Sequence, residues 1–485
     1  MVSVARSRFD RGSDAVAIVA GVDSSTQSCK IVVCDAGTGA VLARGRAAHP
    51  EGTAVDPEAW WRALREAADG LLDQVDAIAV AGQQHGLVAL GADGLPVREA
   101  LLWNDTRSAG AAADLIEELG GPEKWAHAVG TVPVASLTAS KLRWLADSEP
   151  DLADRAKTVL LPHDWLTWRL CGGPGSGAVP VTDRGDASGT GYWSPAEGRY
   201  REDLLRLAFR GRTPELPRVL PPAGIAGRTP EGVLVAAGTG DNMAAALGLG
   251  IADGDVVVSL GTSGTAFARC PHPTADPSGA VAGFADATGQ FLPLVCTLNA
   301  ARVLSSTARM LGTDLEEIDT LARSAGPGAG GLVLLPYLGG ERTPNLPDAS
   351  GTLLGMRKAN MYPHNLARAA VEGMLCGMAA ALDALRERGI RIERVLLIGG
   401  AAKAPIVGEV AAHIFGTPVT VPEPDEYVAL GAAQQAAWAL AGTDEPPVWA
   451  PRPGAVEVGR PDDGGAAGEG VRAAYDRAWK SMYGR

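Results

Sequence analysis

The sequence predicts an α/β protein made of two similar domains, on three observations. The chain has 485 residues, more than one ordinary core organises, and so reads as two domains of roughly 200 to 250 residues. Short apolar runs with strand character alternate with stretches of helical spacing along its length. A strand, small-residue turn, strand pattern also recurs after about 235 residues, as "AGVDSSTQSCKIVV" and then "VSLGTSGTAFA". Any strand hairpin resembles any other, yet the recurrence on its own favours two similar domains. The expected division is a tail over 1–15, an N-terminal domain over 16–250, a C-terminal domain over 251–460 and a closing loop and helix over 461–485. The link is the glycine- and aspartate-punctuated "GIADGD".

Taken in order, "AVAIVAGVD" reads as a buried strand and "KIVVCD" as its partner across a turn. "EAWWRALREAADGLLDQV" has helical spacing, and "AIAVAGQQHGLVAL" reads as strand, loop, strand. "KTVLLPHDWLTWRL" is a strand running into a helix, and "VLVAAGTGDNMAAALGLG" a strand, glycine-rich turn and helix start. The pattern then restarts with "GDVVVSLGTSGTAFARC", followed by the helix "LARAAVEGMLCGMAAALDALRERG" and the strand "IERVLLIGG". Met374, Met378 and Leu382 fall at helical spacing and are expected in the core. "GRPDDGGAAGEG" is expected to be a loop before the last helix.

Composition excludes several classes. The chain is 46% hydrophobic and 20% charged, with a net charge of −13 and no basic stripe, which argues against a nucleic-acid surface. The six cysteines form no CxxC pair and the seven histidines no HxxxH or HExxH spacing, so neither a disulfide frame nor a zinc site is expected. The first fifteen residues carry three arginines but no apolar signal region follows, and no run is long enough to span a bilayer. The expectation is a soluble, cytoplasmic protein without membrane or nucleic-acid partners.

The chemistry-bearing stretches are turns. Ser, Thr and Gly between two strands present successive backbone N–H groups that cradle an anion. Both "DSSTQ" and "GTSGT" have that composition, although hairpins also use these residues for geometry alone. Asp23 ends the first strand where a carboxylate can hold Mg²⁺. Thr26 and Gln27 are placed to reach a phosphate, Lys30 to add charge across the hairpin, and Gly261, Thr262, Ser263 and Gly264 to close on the same phosphates. Gly399 and Gly400, after a buried strand, let a nucleotide press against backbone. There is no GxxxxGK[ST] and no helix-opening GxGxxG, which counts against P-loop and Rossmann sites.

Asp241 in "GTGDNMAAALG", with Asn242 beside it, reads either as a helix cap or as a general base for a hydroxyl attacking a γ-phosphate. "AGQQHG", with Gln84 and His85, and "LLWNDTR", with Trp103, Asn104, Asp105 and Arg107, are dense in the amides, imidazole, carboxylate and indole that recognise polyols.

From these residues the chain resembles the FGGY carbohydrate kinases, over roughly residues 16 to 445. "SLTASKLRWLADS" resembles the first family signature, with Lys141 and Trp144 in place and Ser148 at a position that favours a longer polar or acidic residue. "GTLLGMRKANMYPHNLARAAVE" fits the second throughout. "AGQQHG", "LLWNDTR", "AGTGDN" and "LPYLGGERTP" resemble the AGQMHG, LWND-x-R, GGGDN and LPYLSGERTP segments of the members that phosphorylate D-xylulose. Glycerol-phosphorylating members carry an Arg-Glu pair where Gln84 and His85 stand.

The resemblance implies two actin-like (ribonuclease H-like) ATPase domains with a central cleft. It also implies transfer of the ATP γ-phosphate to D-xylulose, with ATP and Mg²⁺ as cofactors. Asp241 would be the proton acceptor. Gln84, His85, Trp103, Asp105 and Asn242 would form the sugar site, and Asp23 would serve the metal. Thr26, Gln27, Lys30, Gly261, Thr262, Ser263, Gly399 and Gly400 would serve ATP. A homodimer follows from the resemblance alone. The alternatives are a relative acting on L-ribulose, ribitol or another polyol, and a non-catalytic sugar-binding relative. Two departures stand out: Ser25 occupies the usual glycine of the D-x-G-T-x-x-x-K hairpin, and Ala404 a position where many members place Asn beside the adenosine.

Overall fold

The computed structural model describes residues 16–450, 453–459 and 465–484; the expected tail over 1–15 and residues 460–464 of the expected closing loop lie outside them. The described chain forms two compact α/β units. The first extends to Gly250 and takes in Phe284–Gln290 and the segment beginning at Glu426; the second comprises Ile251–Gly283, Phe291–Asp425 and the C-terminal segment.

The sheet of the first unit runs in the order Ile225–Arg228, Leu234–Ala236, Ala77–Gly82, Ile18–Ser24, Ser28–Asp35, Val41–Ala48. Ala77–Gly82 is parallel to both neighbours and buried at all six positions, which is why "AIAVAG" is apolar throughout instead of alternating. The helix Pro57–Ala67 starts from Asp56, whose side chain accepts a hydrogen bond from Glu58 N, with Pro57 at the first helical position. It buries Trp60, Ala63, Leu64 and Ala67. It stops eight residues before the expected end at Val75, because Gly70 takes φ +69° and turns the chain.

The helix Tyr427–Ala441 departs from the expected division: it belongs to the first unit, not to the second half of the chain. Its buried face is Ala429, Ala432, Ala433 and Ala436, so it approaches the sheet at backbone distance. A β-carbon on Gly21 would lie 1.9 Å from Ala429 O, and one on Gly431 would lie 1.9 Å from Ala244 O. Glycine at these positions is what admits the contact.

The second unit repeats the local plan of the first. The hairpin Asp255–Leu260/Gly264–Ala268 has the parallel strand Arg394–Ile398 beside its first arm, as Ile18–Ser24/Ser28–Asp35 has Ala77–Gly82. Phe291–Thr297 extends its sheet on one side, and Val419–Val421 and Val456–Val458 on the other. The helix Pro363–Glu387 runs through its core, with Met374, Met378 and Leu382 fully buried. The closing helix Ala466–Tyr483 begins inside the stretch expected to be loop, so Ala466–Gly470 are helical. Gly468 allows this by meeting the backbone of His413, and Tyr475 reaches the Tyr337 hydroxyl at 3.1 Å.

Candidate active site

Three strand ends of the first unit carry the site residues. In the parallel ladder Asp23 is paired with Ala81 and Ser24 with Gly82, and on the other side Thr239 with Ala81 and Gly240 with Gly82. The segments leaving these strands at their C-terminal ends, the Ser25–Gln27 turn, Gln83–His85 and Asp241–Asn242, therefore emerge from one sheet edge. That is where open α/β sheets place their ligands.

Asp23 is 2% exposed. The Ser25 hydroxyl donates to its Oδ1, and Lys30 Nζ stands 3.7 Å from its Oδ2. Burial raises its pKa, and the Ser25 and Lys30 contacts work against that rise. Ser25 is not among the residues with positive φ, so serine replaces the usual glycine without left-handed strain and gives Asp23 a hydroxyl partner. The turn is fixed by Ser25 N donating to Ser28 O at 3.1 Å and by His49 Nδ1, 2.8 Å from Ser25 O. Lys30, expected to add charge for a phosphate, is bound to Glu426 at 2.6 Å. Its ammonium lies between two carboxylates of its own unit.

Asp241 is the first residue of the helix Asp241–Leu249, and its Oδ1 accepts from both Asn242 N and Asn242 Nδ2 at 2.8 Å. The cap position itself is taken by Gly240, so Asp241 is the first helical residue and not the cap that the sequence also allowed. Burial first, and then the negative Asp23, push its carboxyl up to about 7. Asp23 thus raises the proton affinity of Asp241, and as a buried carboxylate at a strand end it is the candidate ligand for a divalent cation. Asn242 Nδ2 lies 3.4 Å from Gln84 Oε1, while Gln84 Nε2 is buried without a hydrogen-bond partner. His85 is held at φ +69°. Its Nδ1 is 2.7 Å from Gly189 O, its carbonyl accepts from Thr138 Oγ1, and its ring tilts against Phe284 at 5.5 Å. A non-glycine residue in the left-handed region beside an unpartnered amide is the kind of strain that sites retain.

Trp103 and Asp105 serve this group from behind. Trp103 Nε1 donates to Thr26 Oγ1 at 2.8 Å, so the indole holds the Ser25–Gln27 turn. Asp105, 3% exposed, accepts from Thr53 Oγ1 at its Oδ2 and from Arg107 N and Nε at its Oδ1. Both its oxygens are engaged by its own chain, and the residue acts as a strut. Arg107 and Arg98 each stack 5.0 Å from the Trp144 ring centre, which ties "LLWNDTR" to the first signature. Lys141 is buried and donates to Ala135 O and Ser136 O.

In the second unit Gly261, Thr262 and Ser263 form the hairpin turn, with Ala301 N donating to Gly261 O and Ala300 N to Thr262 O. Ser259 is paired with Ile398, and Gly399, at φ +98°, is pressed so closely on Leu260 that a β-carbon would lie 2.6 Å from its carbonyl. The two glycine-bearing turns of this unit thus lie side by side. Glu341 of "LPYLGGERTP" fixes the neighbouring loop, accepting from Leu298 N, Arg342 N and Asn299 Nδ2. Ala404 precedes the helix Pro405–Phe415 and offers no polar atom beyond its backbone.

Sequence reasoning missed a fully buried group next to the Thr239–Asn242 segment: His163, Asp164, Asp183 and Asp186. Asp183 Oδ2 accepts from Thr239 Oγ1 at 2.7 Å, two residues before Asp241. The signal was the charged pair in "PHDW", where a strand enters a helix with no solvent-facing turn. Glu426 and His49 were missed as well.

Two α/β units with matching hairpins, and a family match over both of them, place the chain in the class of ATP-dependent carbohydrate kinases. The model of the FGGY family of carbohydrate kinases matches here through its N-terminal domain over residues 18–248 and its C-terminal domain over 256–440. The chain belongs to the FGGY family of carbohydrate kinases. It is 47% identical over 444 residues to the xylulose kinase of Streptomyces coelicolor, covering 88% of this chain and 89% of that one. The crystal structure of xylulose kinase from Bifidobacterium adolescentis superposes with a TM-score of 0.86 at 46% identity, over 96% of this chain and 99% of that one. Plasmodium falciparum glycerol kinase with ADP shares the fold, with a TM-score of 0.83 at 17% identity.

Proposed function

We propose that the protein transfers the γ-phosphate of ATP to the 5-hydroxyl of D-xylulose. The observation that carries this reading is the grouping of Asp241, Asn242, Gln84 and His85 at one sheet edge, in a chain 47% identical to a xylulose kinase. Gln84, His85 and Asn242 orient the sugar. Asp241 accepts the hydroxyl proton as the new O–P bond forms, and ADP departs with the electron pair of the bond that breaks. Thr26 and Gln27 of one hairpin, Gly261, Thr262 and Ser263 of the other, and Gly399 and Gly400 serve the nucleotide. Asp23 would hold Mg²⁺, which when bound neutralises phosphate charge. Trp103, Asp105 and Lys30 keep the turns and Asp23 in place.

The test is ADP release from Mg-ATP with D-xylulose, L-ribulose, ribitol and glycerol, with Asp241→Ala as the blank. Release with D-xylulose above the others, lost in the blank, is expected. Release with a different sugar would move the substrate, and no sugar-dependent release would leave a sugar-binding relative.

A further inference from the structure

His163 occupies a fully buried position between the two segments that build the sugar site. It is the second residue of the helix Pro162–Leu170, which follows the strand Thr158–Leu160 after Leu161. On one side its β-carbon would be 2.9 Å from a side chain placed on Gly82, the residue before Gln83–His85. On the other side a side chain on Gly238 would lie 2.4 Å from its Nε2. Both glycines are needed to let the ring in, and Gly238 takes φ +74° to do so. Nε2 lies 2.8 Å from Ala237 O, and Nδ1 lies 3.1 Å from both Asp186 Oδ2 and Asp164 Oδ1. Oxygen acceptors therefore face both ring nitrogens, the surroundings of a doubly protonated ring.

The rest of the group continues toward the base. Asp186 N donates to Asp183 Oδ1, and Asp183 Oδ2 receives the Thr239 hydroxyl, so Ala237 and Thr239 are both tied down within four residues of Asp241. Asp164 Oδ2 is occupied by Leu161 N. The ionisable groups around the ring are Asp164 on its own helix, Asp183 and Asp186 on the facing segment, and Tyr192 and Tyr200 beyond them. Burial opposes charge on the ring, and Asp164 and Asp186 outweigh it, so His163 titrates well above the ordinary histidine value.

We propose that His163 is a positioning residue for phosphoryl transfer, whose Nε2–H clamps Ala237 and so sets the base turn at a fixed spacing from the Gln84–His85 loop. This rests on reading Asp241 as the base. It also separates two parts of the ring: the Ala237 clamp positions the base, while the Nδ1 side joins the carboxylates.

The two half-mimics of histidine divide these parts. His163→Gln can place an N–H near the Nε2 position, and His163→Asn near Nδ1. For groups that act through another residue, losses of about 10–100-fold are usual. His163→Asn is expected to lower kcat by about that factor with the sugar KM within about threefold, while His163→Gln keeps kcat within about threefold. Thr239→Val, nearly isosteric, tests the same turn from the Asp183 side and is expected to lower kcat with KM retained. A structural role alone would lower melting temperature in all three and leave kcat per folded molecule unchanged, which overturns the proposal. Equal kcat loss in His163→Asn and His163→Gln overturns it too, as does one equivalent of metal bound among His163, Asp164 and Asp186. Amide exchange over 237–242 is expected to quicken in His163→Asn and not in His163→Gln. That readout needs no turnover, so a wild-type protein silent with D-xylulose would sink the sugar assignment and leave this test standing.

Discussion

Asp241 combines two properties that pull against each other. Its carboxyl has to be ionised to accept a proton, yet burial and Asp23 hold its pKa at about 7. Two predictions follow from the sign of that shift. In the free enzyme kcat/KM is expected to fall as pH drops below about 7, because the base is then protonated; a flat profile from pH 8 to 6 would contradict the assignment. Asp241→Asn keeps the shape and removes the base, so turnover is expected to fall by about 10²–10⁴-fold. For stability the sign runs the other way. The folded pKa lies above the unfolded value of about 3.9, so the folded state binds the proton more tightly and loses stability as pH rises from about 4 to about 7. Asp241→Asn removes this penalty. Its melting temperature is expected to exceed that of the wild type at pH 8, with the gain shrinking as pH is lowered toward 5. A lower melting temperature at pH 8 would show that the carboxylate holds the turn together.

At the scale of elements, glycines that look alike in sequence do opposite things. Gly431, in the helix Tyr427–Ala441, would place a β-carbon 1.9 Å from the carbonyl oxygen of Ala244, so even alanine forces two backbones apart. Gly110, in the helix Ala109–Leu119, has nothing within 4 Å of the same position. Gly431→Ala is expected to destabilise by about 1–3 kcal/mol through overpacking. Gly110→Ala is expected to stabilise by about 0.5–1 kcal/mol through helix propensity. Denaturant midpoints of the two variants check the pair, and equal effects would refute the packing argument. The same contrast explains what the sequence could tell. Both hairpins, the "AIAVAG" strand and the turns holding Asp23, Thr262 and Asp241 were legible because period, small residues and polar turns are local signals. The unit to which Tyr427–Ala441 belongs was not, because its partners Gly21 and Ala244 lie far away in the chain. His163, Asp183 and Thr239 were missed for the same reason: each is ordinary in its own segment, and only folding joins them.

For the whole molecule, the two proposed ligands fall on different parts of the chain. Gln84, His85, Asp241 and Asn242 all belong to the first unit, whereas Gly261, Thr262, Ser263, Gly399 and Gly400 belong to the second, and Thr26 and Gln27 are the nucleotide candidates of the first. A ligand that binds the folded state slows local opening where it makes contact. D-xylulose alone is therefore expected to slow amide exchange over 82–86 and 238–243 and to leave 260–264 and 399–402 as they were. ADP with Mg²⁺ is expected to slow 260–264 and 399–402, and 24–28 as well if the first hairpin serves the phosphates. The Lys30–Glu426 pair sharpens the last point, since this lysine already has a carboxylate 2.6 Å away. Lys30→Gln is then expected to change nucleotide KM by less than threefold, a small effect of the kind given by partly exposed ion pairs, roughly 0–1 kcal/mol. A loss of tenfold or more would mean that Lys30 leaves Glu426 for the phosphates when nucleotide arrives, restoring the role its place in the hairpin suggested.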